Sequence, residues 1–140
     1  SCKTKRGKEW FFLAFAAILG ASMLILNNYL KVNSIYASSI GMIVVASIML
    51  YFRRDLIIHA VGSAILVTVV MFTIYFLGQT FFPGAHLWMT KIWLLYGTPQ
   101  GVVLFKHIPW TEMLWGFSWG LVWGPMYEFL VGARTISFKR

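Results

Sequence analysis

Only four acidic side chains occur in this 140-residue sequence: Glu9, Asp55, Glu112 and Glu128. Glu9 and Asp55 stand among basic neighbours (Lys8, Arg53 and Arg54), where a solvated carboxylate is the simple expectation. Glu112 and Glu128 fall inside one long apolar stretch. An ionisable group within a membrane span costs about 2.5 kcal/mol or more, so it tends to face other protein and to carry function. Their spacing corresponds to roughly 24 Å along a straight helix, so they do not act as paired carboxylates on one substrate atom. Glu112 has two readings. It follows Pro109 by one helical turn, proline suits the start of a helix, and an acid there favours the helix dipole; Glu112 is then a helix-start residue. Alternatively it is a proton donor at the outer end of an apolar cavity, where desolvation favours the neutral carboxylic acid.

The same stretch carries two stripes. Gly116, Gly120 and Gly124 recur every fourth residue, a small-residue pattern that lets a second helix approach closely. Trp115, Trp119 and Trp123 recur on the adjacent face. Aromatic faces stabilise cations by roughly 0.5 to 2 kcal/mol each, and they also fill bundles or meet lipid headgroups; both uses are open here. Pro125, beside Gly124, is expected to kink the helix near its inner end, before Tyr127 and Glu128. His59, His86 and His107 lack helical metal-ligand spacing, so no metal is expected. There is no phosphate-binding glycine loop, nucleophile elbow or dinucleotide fingerprint, and no cofactor is demanded. The single cysteine, Cys2, excludes an intrachain disulfide and is expected to be a spectator thiol.

These residues need elements to hold them. The sequence is 59% hydrophobic and 11% charged, with a mean hydropathy of +0.74. Ordinary soluble domains are roughly 25% charged, so lipid is the natural solvent for this excess, and no β alternation competes. About four transmembrane helices are expected in one all-α membrane bundle. They run from about Trp10 to Tyr29, Ser34 to Phe52, Leu56 to Phe82, and Ile108 to Val131, each bounded by charges, Asn, Pro or Gly. Between the last two, Ala85 to His107 reads as an outer interfacial helix, a break at Gly97 to Pro99, and a short re-entrant apolar stretch. The stretch from Trp10 to Asn27 is too long for a cleaved signal peptide. The chain starts with Ser rather than Met, which leaves open whether residues precede it.

The net charge of +8 does not indicate nucleic acid, because Lys and Arg cluster beside the apolar runs, as orienting charges do. With the N-terminus inside, nine basic residues (Lys3, Lys5, Arg6, Lys8, Arg53, Arg54, Arg134, Lys139 and Arg140) lie on the inner face. Three (Lys31, Lys91 and Lys106) lie outside. Both termini are therefore expected in the cytoplasm of an integral cell-membrane protein.

Ile108-Pro109-Trp110-Thr111-Glu112-Met113-Leu114-Trp115, then Gly120 and Gly124-Pro125-Met126-Tyr127-Glu128-Phe129, resembles the lycopene cyclase domain family, the flavin-free membrane carotenoid cyclases. Arg54, Asp55 and Leu56 opening a span fit as well. The likeness covers roughly Arg53 to Val131 and is strongest from Gly97 to Phe129. The family pattern begins Pro-x-Glu-Glu; Glu112 matches its second acid, and Thr111 stands at the first. The resemblance implies acid-catalysed, redox-neutral ring closure of a linear isoprenoid, with Glu112 as the acid. Pro109, Trp110, Trp115 and Trp119 would contact the substrate. It also implies a hydrophobic isoprenoid ligand, surrounding membrane lipid, and assembly with a second helical membrane subunit, identical or different. The competing reading is a non-catalytic assembly or accessory subunit with the same bundle, which the missing first acid favours.

Overall fold

The computed structural model describes residues 9–82 and 84–132; the side chains of Glu9, His86, Trp88 and Lys106 are not described. The basic terminal segments expected to orient the chain, together with Cys2, lie outside the described residues. So do the His86 and Lys106 side chains.

All named elements are helical, as the continuous apolar runs require. Helix α1 spans Glu9–Ser22 and continues through π-helical turns at Met23–Tyr29, closing with the Leu30 N–H on the Ile25 carbonyl at 3.3 Å. Helix α2 spans Ser34–Phe52, and the Asn33 side chain caps it by accepting from the Ile35 N–H at 3.0 Å. An Asn at this position satisfies one of the orphan amides at a helix start. Arg53 ends α2, and the guanidinium grips Asp55 with two bonds, Nε to Oδ1 at 2.8 Å and Nη2 to Oδ2 at 2.7 Å. A 3-10 turn, Arg54–Leu56, then leads into α3, Ile57–Phe81. Gly84, with φ of +88°, precedes the short α4, Ala85–Ile92. Helix α5 spans Trp110–Val131, continues past Pro125, and ends at Gly132, whose φ of +72° suits a residue without Cβ.

Helix α5 packs most extensively against α3, then against α2, and α1 packs on α2. Long helices that follow one another in the chain are antiparallel, so α2 and α5 run parallel. The core gathers Phe11 and Phe15 of α1, Met42, Val45 and Met49 of α2, and Val122, Met126 and Phe129 of α5, with Leu56 wholly buried at the turn. The glycines of α5 make the α3 contact possible. A methyl group at Gly120 would come within 2.6 Å of the Ala64 Cα and 2.7 Å of the Ser63 carbonyl oxygen. Gly124 faces the Ser63 side chain, and Gly116 faces Met71 and Val67. Gly41 of α2, unremarked in the sequence, is packed the same way against Ser22 and Leu19 of α1.

Three helices among the described residues are long and apolar enough to cross a membrane: Trp10–Tyr29, Ser34–Phe52 and Arg54–Phe81. Helix α5, with 22 residues, reaches about 33 Å and lies antiparallel along α3. Its tryptophans, glycines and two carboxylates lower its hydropathy, and its shelter between α2 and α3 makes up for that. With α5 counted as a crossing, the bundle has the expected four.

The connection from α4 to α5 is irregular. After turns over residues 94–100, residues 101–109 fold as a short hairpin. Val103 bridges Pro109, the Leu104 N–H donates to the Ile108 carbonyl at 2.6 Å, and the Trp110 N–H donates to the Val102 carbonyl at 3.0 Å. Val102, Val103 and Phe105 are exposed. A lipid-embedded hairpin this short would leave backbone groups unsatisfied, whereas at the membrane edge water serves them. His107 turns this hairpin at φ of +61°. The Tyr36 hydroxyl ties the preceding turn to α2 by donating to the Gln100 carbonyl at 2.8 Å.

Candidate functional site

Glu112 occupies the third position of α5, at the end of the bundle opposite Arg53. Pro109 stands at the cap position and is fully buried; it offers no side-chain acceptor, and the Glu112 N–H donates back to its carbonyl at 3.2 Å. The Glu112 carboxylate does not turn back to cap its own helix. It lies within electrostatic reach of the Tyr75 phenol of α3. Tyr75 is a site residue that the sequence did not single out: it sits in a long apolar run, 37 positions before its partner (112 − 75). The next residue, Phe76, stacks on Phe72 and on Phe105 of the hairpin, each at 6.2 Å between ring centroids. The hairpin is thereby seated over the α3 end that presents Tyr75.

From Glu112 the tryptophans descend along one face of α5. Trp115 and Trp119 stack at 5.2 Å, Trp119 and Trp123 lie 5.3 Å apart, and Phe15 of α1 meets Trp123 edge-on at 5.9 Å. This ladder reaches roughly 16 Å below Glu112 at a rise of about 1.5 Å per residue. Trp115 packs against the core, whereas Trp119 and Trp123 are 40% and 39% exposed. One side of the ladder is therefore open along the bundle surface. Trp110 does not join it. At roughly 100° per residue it projects about 200° around the helix from Glu112, and it is 43% exposed.

Thr111 is wholly buried, and its hydroxyl finds no partner. An acid at this position would be buried among apolar groups. Glu128, near the other end of α5, also has a buried carboxylate oxygen, Oε2, without a partner. Among the described residues, no three His, Cys, Asp or Glu side chains gather as metal ligands. His59 and His107 lie at opposite ends of α3 and do not converge with each other. A cavity of about 480 Å³ lies between α1 and α2 at the Arg53 end; none of Glu112, Trp115, Trp119, Pro109 or Trp110 lines it.

The arrangement can hold a carboxyl group against a phenol at the head of an aromatic surface that is open on one side. The family model described as lycopene cyclase matches residues 33–130. The match takes in α2, α3, α4 and all of α5 but Val131, and leaves α1 outside. No curated protein and no solved structure matches the chain.

Proposed function

The chain belongs to the lycopene cyclase family, and from that premise we propose that it closes a ring at the end of a linear carotenoid or related isoprenoid, with Glu112 as the proton donor. In this reaction the acid transfers a proton to the terminal C=C bond. The neighbouring double bond attacks the resulting cation, forming the ring C–C bond, and loss of a proton from an adjacent carbon restores neutrality. Substrate and product are isomers, and no electrons are exchanged.

The observation that carries this reading is the placement of Glu112. It lies beside the Tyr75 phenol and stands one turn above a stacked tryptophan ladder. An alkene is a very weak base, so only a poorly solvated carboxyl group serves as donor. The faces of Trp115 and Trp119 supply electron-rich surface for a developing cation, each contributing roughly 0.5 to 2 kcal/mol. Pro109 supports the helix start. Trp110, turned away from the ladder, is left a part only at the outer edge of a longer substrate.

One observation favours the accessory reading. Thr111 replaces the first family acid, and its buried hydroxyl is unpartnered, so this site holds one carboxylate where the family pattern has two. A second helical membrane subunit would then carry the chemistry, and this chain would supply the bundle it assembles on.

Pigment analysis in a lycopene-making bacterial host separates the readings. The parent protein yields cyclic carotenoid, alone or with a partner encoded beside it. Glu112→Gln keeps shape and hydrogen-bonding capacity but has no transferable proton, and abolishes the product at unchanged membrane abundance. Full product from Glu112→Gln with the partner, and none from the parent alone, establishes the accessory role.

A further inference from the structure

The end of the bundle that carries Arg53 and Arg54 holds a cleft outside the site already described. A cavity of about 480 Å³ opens there between α1 and α2, walled by Trp10, Phe15, Ile18, Val45 and Phe52 and floored by Phe129. Its size falls within the roughly 300–1,000 Å³ of small-molecule pockets. Its α1 wall, from Trp10 to Ile18, is roughly 12 Å long at the rise of a helix. Among the described residues, Arg53 is the only charged side chain on its lining. Trp10 and Phe52, both well exposed, flank the mouth.

The rim has a definite charge. Arg53 lines the cleft, Arg54 follows it in the sequence, and Lys3, Lys5, Arg6 and Lys8 precede Trp10 in the sequence, against Glu9 and Asp55. Asp55 holds the Nε and Nη2 edge of Arg53 at 2.8 and 2.7 Å, which fixes the guanidinium in orientation. The Asp55 hydrogen bond also keeps the guanidinium pKa above its ordinary value. An apolar cleft between membrane helices with a cationic mouth suits a lipid that has an acyl chain for the one and a phosphate for the other. A zwitterionic lipid carries its own cation beside the phosphate and gains less from this rim. A linear carotenoid has no charge and gains nothing from it.

We propose that this cleft binds an anionic glycerophospholipid, with one acyl chain between α1 and α2 and the headgroup phosphate at Arg53 and Arg54. The site is separate from Glu112 and does not rest on ring-closing activity.

Native mass spectrometry of the full chain in detergent tests it, using phosphatidylglycerol and phosphatidylcholine with identical acyl chains. The parent protein retains phosphatidylglycerol with a preference on the order of tenfold. Replacing both arginines (Arg53→Gln with Arg54→Gln) brings the two lipids to parity. Two groove-filling variants, Ala14→Phe and Ile48→Phe, lower phosphatidylglycerol retention at unchanged helicity. Equal retention of the two lipids by the parent overturns the proposal. So does undiminished phosphatidylglycerol on either folded groove-filling variant, or its displacement by an equal concentration of lycopene. Pigment formation plays no part in this readout, so its failure and that of the ring-closing reading are distinguishable.

Discussion

Substituting Gly120 by alanine adds one methyl group where α5 crosses α3. That methyl would lie 2.6 Å from the Ala64 Cα, 2.7 Å from the Ser63 carbonyl oxygen and 2.8 Å from the Ala64 nitrogen. Non-bonded carbon atoms prefer about 3.5–4.0 Å, so the helices must part by roughly 1 Å. Every close atom belongs to the α3 backbone, so no side-chain rotation relieves the contact. Overpacking of this kind costs typically 1–3 kcal/mol, offset by about 1 kcal/mol from removing a glycine from a helix interior. A net loss of up to about 2 kcal/mol corresponds to a fall in Tm of up to about 8 °C. Two controls calibrate the effect. Gly62 of α3 has nothing within 4 Å of an added methyl, so Gly62→Ala keeps only the helical gain and raises Tm. Gly116 would meet the flexible Met71 side chain at 3.3 Å, so Gly116→Ala stays near the parent. Thermal unfolding in detergent, followed by far-ultraviolet circular dichroism, reads all three. A Gly120→Ala variant that unfolds as high as Gly62→Ala refutes the close approach of α3 and α5.

Other expectations follow from the same geometry. Tyr75→Phe removes the phenol hydroxyl beside Glu112; polar contacts between helices in membranes contribute about 0.6 kcal/mol on average, so Tm falls by a few degrees, and cyclic product, if formed, declines with it. A Tyr75→Phe variant with unaltered Tm and product means that the phenol is idle. Thr111→Val removes a buried, unpartnered hydroxyl and should leave Tm unchanged or higher, because such a group has a desolvation cost of about 1–3 kcal/mol; a clear drop in Tm reveals a partner for it. For orientation, Thr4→Cys, Ser137→Cys and Thr90→Cys are placed one at a time in a Cys2→Ser background. An impermeant thiol reagent should label only Thr90→Cys in intact cells, and the reverse pattern overturns cytoplasmic termini.

The long helices were readable because each is a continuous apolar run closed by residues that cannot extend it. Arg53 and Arg54 stop α2, Pro83 and Gly84 stand after α3, and Gly132 ends α5. The hairpin at residues 101–109 was not readable, because it is held by backbone bonds such as Trp110 to Val102, which leave no period in the side chains. Glu112 stood out as an acid in an apolar stretch. Its partner did not, because a tyrosine in a transmembrane run reads as ordinary and the pairing depends on how α3 and α5 cross. Trp110 and Trp115 lie close in sequence but on different faces, because five residues turn the chain through about 140°. The cleft beside Arg53 arises only where α1 and α2 diverge, a property of packing and not of either segment.

The π-widened first helix lies before the matched segment, and its presence changes a parity. The segment at residues 33–130 holds three long helices, α2, α3 and α5. An odd number of crossings enters a membrane on one face and leaves on the other. Two such units joined end to end therefore run through the bilayer inverted, as in the repeats of many transporters. With α1 in front, the number becomes even, and the chain leaves α5 on the face where α1 began. A second unit led by its own counterpart of α1 would then stand parallel to the first, presenting its acid at the same depth and on the same face.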